Sequence, residues 1–130
     1  MTKEPFGPSR VMQPYRDSKI EWLGGEPGKM VKLYHVIGHE ETPSQFFEVG
    51  VYEILPGEKV PVHVHDEGEE FAYVLNGCAI LLGENETVLG EMPQGKLVYA
   101  ETGAPHGYMN HTGLPVELLV WTSKKAGLNF

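Results

Sequence analysis

The chain has 130 residues, 41% hydrophobic and 22% charged, the balance of one folded domain rather than of a disordered segment. A formal charge of −8, with no basic stretch to offset it, argues against a grip on nucleic acid or on an anionic membrane. The single cysteine, Cys78, cannot close an intramolecular disulfide, no segment is apolar enough to span a bilayer, and residues 1–8 hold no apolar leader; the expected location is the cytoplasm.

Sixteen glycines and ten prolines fall mostly between short apolar stretches, a punctuation that favours strands over helices. Residues 1–28 read as an N-terminal arm, aperiodic to about Pro14 and holding at most one helical turn within Pro14–Leu23. From Lys29 to Ile37 the sequence alternates, with Val31, Leu33, His35 and Ile37 on one face and Met30, Lys32, Tyr34 and Val36 on the other. Phe46 to Leu55 reads as the next strand, stopped by Pro56-Gly57. Val60 to His65 is short and extended, and its Pro61 suits a sheet edge. The strand Glu70–Leu75 ends at Asn76-Gly77, which predicts a hairpin to Ala79–Leu82. Thr87–Leu89, Lys96–Ala100, Gly107–Met109 and Val116–Thr122 complete an all-β pattern, a sandwich or closed barrel over residues 29–123, followed by a tail, 124–130.

Three of the six histidines occupy positions that a metal would need. His63 and His65, two apart on an extended segment, project from one face; Glu70 begins the following strand, and His106 follows the Gly103-Ala104-Pro105 turn. Imidazole with carboxylate suits zinc, iron, manganese, nickel or cobalt, and the lack of thiolate argues against a structural zinc cage. A His-X-His pair by itself is also a common surface feature, so spacing leaves both readings open.

At these residues the sequence resembles the cupin superfamily. The first cupin motif runs from Gly57 through His63, His65 and Glu70 to Gly77 with every interval satisfied. The second runs from Gly95 through Gly103 and His106 to Asn110, with Glu101 where the family has proline. The resemblance implies a double-stranded β-helix, a jelly-roll-like barrel, with one divalent metal ion inside held by His63, His65, Glu70 and His106. Glu69 is the competing carboxylate, but Glu70 keeps the interval to Gly77. Asn110 would brace its loop by hydrogen bonding, and the Glu101 substitution touches the shape of that turn rather than a ligand. The ligand types do not separate Fe, Mn, Ni, Zn and Co.

Fold does not fix function, and three readings follow. The first is a metal enzyme using its ion as a Lewis acid for isomerase or lyase chemistry on a small oxygenated metabolite. The second is an iron-dependent dioxygenase, and the third a non-catalytic small-ligand-binding module. Strand parity places Tyr108 and Asn110 on the face of His106, so Tyr108 is the candidate acid–base residue, against the alternative of a structural tyrosine. As a base it needs its pKa, ordinarily about 10, lowered by a nearby cation. Tyr52 and Trp121 have no settled facing, His35 reads as a satisfied core or interface residue, and Cys78 as structural. The acidic runs Glu67–Glu70 and Glu84–Glu86 read most simply as solvated turns, with a cavity mouth made negative by Glu67 and Glu69 as the alternative. The strand Met30–Ile37, apolar on both faces apart from Lys32 and His35, looks suited to extending a partner's sheet, and a homodimer is expected.

Overall fold

A computed structural model of the chain describes residues 9–24, 31–40 and 42–128. The first eight residues of the expected arm, its end at 25–28, and Lys29 and Met30 at the start of the alternating strand lie outside the described residues. Ten strands follow in order: β1 (Lys19–Leu23), β2 (Val31–Ile37), β3 (Phe47–Ile54), β4 (Lys59–His63), β5 (Glu70–Asn76), β6 (Cys78–Leu82), β7 (Val88–Pro93), β8 (Leu97–Ala100), β9 (His106–Met109) and β10 (Val116–Ser123). They form a six-stranded sheet, β1-β2-β3-β10-β5-β8, and a four-stranded sheet, β4-β9-β6-β7, with every pairing antiparallel.

The two sheets bury their facing sides against each other, and the alternation of each strand decides what goes in. On β10 the buried series is Val116, Leu118, Val120 and Thr122, and on β5 it is Glu70, Ala72 and Val74. Leu33, Ile54, Val60, Ala79 and Met92 complete the apolar filling. Each fully buried aliphatic side chain of this kind contributes roughly 1.5–3 kcal/mol. Near one end of the barrel Glu70, Thr122, His65 and His106 are buried together. That end holds the candidate site.

Three local readings differ from the sequence pattern. Lys19–Leu23, placed in the arm, pairs along its whole length with β2. Leu23 is its one buried residue, so five residues carry no period that marks a strand. As a result β2 has β1 on one side and β3 on the other and offers no free edge to a partner's sheet. Gly77 does reverse the chain, with φ at 87°, and a Cβ there would lie 3.0 Å from Pro115 O, so glycine is required. The reversal is not a hairpin, however: β5 pairs with β10 and β8, β6 with β7 and β9. A turn dipeptide encodes a change of direction and not the choice of neighbour, and here it carries the chain from one sheet to the other.

Ahead of β1, a 3-10 turn at Tyr15–Asp17 lays Tyr15 and Arg16 on the outer side of the large sheet, where both donate to Glu117. Among the described residues no helix is long and apolar enough to cross a membrane.

Candidate metal centre

Pairing of β4 with β9 sets His63 directly opposite His106, and their rings come to 4.3 Å between centroids. β4 is an edge strand, so Pro61 leaves no partner strand short of a donor, and an irregular register between Val60 and His63 accommodates it. The chain then bends through residues 64–69 and enters the other sheet at Glu70. His63, His65, Glu70 and His106 therefore converge from both sheets, with ligand-type atoms all within 4.8 Å of one another.

The backbone pre-orients two of the rings. His63 Nδ1 is 2.8 Å from Pro61 O and His106 Nδ1 is 2.8 Å from Ala104 O, contacts that place the proton on Nδ1 and leave Nε2 for an ion. His65 Nε2 lies 3.1 Å from Glu70 Oε1. His106 Nε2 is buried 3.5 Å from Glu70 Oε2, an ion-pair contact without hydrogen-bond geometry, and has no hydrogen-bond partner among the described residues. An orphaned imidazole nitrogen facing a carboxylate and two further imidazoles is a donor set that a divalent cation fits. His106 and Glu70 are almost wholly enclosed, and His65 nearly so.

The electrostatics follow from that enclosure. Burial alone would raise the Glu70 carboxyl, but the facing His106 and His65 imidazoles and the Tyr108 hydroxyl outweigh it and lower the pKa to about 2. Burial lowers His63, helped by His106 and His65. Burial also works against the charged form of His106, yet Glu70 beside it moves its pKa upward.

Tyr108 is fully buried, and its hydroxyl donates to Glu70 Oε2. Burial first, and the Glu70 charge second, push its pKa well above the ordinary tyrosine value. In the metal-free barrel the hydroxyl therefore acts as a donor that orients the Glu70 carboxylate. Asn110, also fully buried, donates to Ile54 O at 2.9 Å and Leu114 O at 2.7 Å and accepts from Thr112 N and Oγ1, so it does brace its loop. With Glu101 in the motif's proline position the turn still closes, by Ala104 N–H donating to Glu101 O at 2.9 Å. Gly103 N–H donates to His65 O at 2.9 Å and ties the two ligand-bearing loops together.

Glu69 points outward, is exposed and accepts from the Tyr99 hydroxyl; it takes no part in the cluster. Tyr52 is inside the barrel and donates to Leu128 O, whereas Trp121 faces out. His35 Nε2 is satisfied by Glu21 Oε1 at 2.8 Å. An open cavity of about 500 Å³ borders the cluster, lined by His63, His65, Asp66, Glu67, Lys125 and Ala126. Lys125 stands 3.8 Å from Glu67, so the mouth is of mixed sign rather than negative. Thr122 and residues 124–128 went unmarked in the sequence, although Thr122 is the fourth member of the β10 series that includes Val116, Leu118 and Val120.

Two antiparallel sheets that bring three histidines and one glutamate to a buried point define a double-stranded β-helix of the metal-site type. Residues 50–122 match the family model described as Cupin domain, a span that holds the whole of both motifs and more than half of the chain. The chain belongs to the cupin domain family. Among solved structures it is similar to the polyketide cyclase RemF from Streptomyces resistomycificus, with 26% identity, 91% of this chain and 80% of that one covered, and a TM-score of 0.74. An RmlC-like cupin protein from Desulfovibrio desulfuricans is 28% identical over 73% of this chain and 83% of its own, at a TM-score of 0.62. The protein TT1209 from Thermus thermophilus is 31% identical over 75% of this chain and 86% of its own, at a TM-score of 0.58. Comparison with curated protein sequences gives no match.

Proposed function

We propose that this chain is a mononuclear metal-dependent enzyme acting on a small oxygenated metabolite by Lewis-acid isomerase or lyase chemistry. The observation that carries the reading is the orphaned, buried Nε2 of His106 facing Glu70 and the other two imidazoles. His63, His65, Glu70 and His106 would hold the ion, which when bound would polarise a carbonyl or stabilise a developing enolate oxygen. Glu70, ionised throughout the neutral range, supplies the one anionic donor. Tyr108 fixes Glu70 through its hydroxyl and would be the acid–base group inside the barrel once the ion beside it lowers its pKa. Similarity to a polyketide cyclase supports the choice, because a polyketide is a carbon chain bearing many oxygens. Metal analysis of protein purified without added metal, followed by oxygen-uptake and isomerase or lyase screens, tests it. Stoichiometric iron with substrate-dependent oxygen uptake would replace this reading by the dioxygenase one. A metal-free protein would remove both.

The partner reading is a homodimer formed through the outer side of the six-stranded sheet, since β2 has no free edge. Cross-strand register aligns Leu97, Tyr73, Leu119, Val51, Tyr34 and Ile20 in one outward row, of which Val51 and Tyr34 are already buried, Tyr34 against the Tyr15 ring. A second row aligns Tyr99, Phe71, Trp121 and Val49. Leu97, Tyr99 and Trp121 are 60%, 61% and 40% exposed. With the half-buried Phe71 and Tyr73 beside them, they form an exposed apolar patch across β8, β5 and β10 of the kind that marks an interaction surface.

A further inference from the structure

Beyond β10, residues 124–128 turn back over the end of the barrel that carries the cluster. Lys124 N–H donates to Phe46 O at 2.8 Å, and the N–H groups of Ala126 and Gly127 both donate to Ser123 O at 3.1 Å. Gly127, with φ at 78°, then aims the chain inward. Leu128 joins the hydrophobic core at 4% exposure. Its backbone is held at both polar atoms: the N–H donates to Glu48 Oε1 at 3.1 Å, and the carbonyl accepts from the Tyr52 hydroxyl at 2.9 Å.

The floor beneath this strap has the features of a binding groove. Gly50 leaves the place that Leu128 fills, because a Cβ there would lie 2.9 Å from Leu128 Cδ1. The inward row across the sheet at that level is Gly50, Val120 and Ala72, two of them small. The next row is Glu48, Thr122 and Glu70, so Thr122 stands between the carboxylate that holds the strap and the one in the metal cluster. Thr122 is fully buried, and its Oγ1 has no hydrogen-bond partner among the described residues. Valine would occupy the same space without an orphaned hydroxyl, so the threonine calls for a partner that arrives with a ligand. Strap residues contribute to the walls of two cavities. One is that of about 500 Å³ beside His63 and His65, and the other, of about 260 Å³, is lined by Leu33, His35, Glu48 and Leu128.

We propose that the space under residues 124–128 is a substrate groove, entered when the strap withdraws, in which Thr122, Tyr52 and Glu48 are the polar contacts. The groups that Leu128 satisfies describe the ligand. A ligand in the place of Leu128 would accept from Tyr52, donate to Glu48 and lay an apolar body on Leu33, Gly50 and Val120. The ligand class is a compact ring or carbon skeleton carrying a carbonyl and a hydroxyl, with another oxygen at the metal end. That last feature rests on the metal reading; the groove does not.

The test is titration of the full chain with 2,4-dihydroxyacetophenone by calorimetry, with metal content measured on the same samples. Leu128→Ala should bind this probe about tenfold more tightly than the unsubstituted chain, by removing the competing side chain, and Leu128→Val should fall between. Adding Tyr52→Phe to Leu128→Ala should cancel that gain. Thr122→Val should weaken the probe about fivefold while the melting temperature holds or rises, which a structural hydroxyl would not allow. Unchanged affinity in Leu128→Ala, indifference to Tyr52→Phe, or no binding to any form at millimolar probe would each overturn the groove. Metal bound with this pattern missing defeats the groove alone; the pattern intact without metal defeats the metal reading alone.

Discussion

Replacing Tyr108 by phenylalanine removes one oxygen from a position with no solvent access and leaves the ring in place. Little cavity forms, so the cost is that of the hydrogen bond the hydroxyl gives to Glu70. A hydrogen bond to a charged group contributes about 1.5–3 kcal/mol, and here the acceptor is a buried carboxylate that cannot turn to water. For a domain of this length, about 2 kcal/mol corresponds to a fall of roughly 6–10 °C in melting temperature for the metal-free protein near pH 7. The acid limb should move too. A carboxyl lowered to about 2 contributes stability that is complete above the ordinary carboxylate range and is lost as pH falls from there toward 2. Without its donor Glu70 titrates higher, so the variant should begin to lose stability at a higher pH. In metal-loaded protein the same loss should appear as affinity about 10–100-fold weaker, the usual effect of removing a hydrogen bond behind a ligand. Differential scanning calorimetry across pH 2–8 and competition with a metal indicator measure these effects. A variant with the parent's melting temperature, acid limb and metal affinity would refute the reasoning, because the hydroxyl would then not be spent on Glu70.

His106→Ala should abolish stoichiometric metal in elemental analysis, whereas Glu69→Gln, altering an exposed carboxylate bound to Tyr99, should retain it. Asn110→Ala removes four hydrogen bonds of a buried side chain, so thermal unfolding should show a loss of about 2–4 kcal/mol with the ligands untouched. Trp121→Lys combined with Tyr99→Lys should turn a dimer into a folded monomer by light scattering. A dimer surviving both changes, or a parent chain monomeric from low micromolar concentration upward, would remove the proposed face.

The four clustered residues were legible because the motifs fix their intervals, even though His65 lies two residues past the end of β4. Tyr108 followed from parity with His106, two residues earlier on the same strand. Facing was harder where parity had no anchor. Tyr52 and Trp121 looked equivalent until the register with β10 and β5 put one inside and the other out. Thr122 did carry a signal, since it continues the buried series Val116, Leu118 and Val120, but a hydroxyl ending an apolar run reads as a strand end. Leu128 carried none: its burial depends on a glycine turn at 127 and a missing side chain at Gly50, far apart in sequence. Partner choice was the other blind spot, as the Asn76-Gly77 reversal between sheets shows. Pairing is decided by what covers each strand's two faces, which no local dipeptide records.

In the proposed dimer β5 and β10 are walls with two owners. On adjacent positions they carry Glu70 and Thr122 toward the ligand cluster and Phe71 and Trp121 toward the outside. A neighbour pressing on Phe71 and Trp121 therefore constrains the same two backbones from which the cluster's carboxylate is hung. If assembly narrows the motion of those strands, it lowers the ordering cost of taking up the ion, and by reciprocity the ion favours assembly. Occupancy of the centre then depends on protein concentration. For the proposed dimer, a dissociation constant for metal measured on dilute protein would describe the separated chain and not the assembled one.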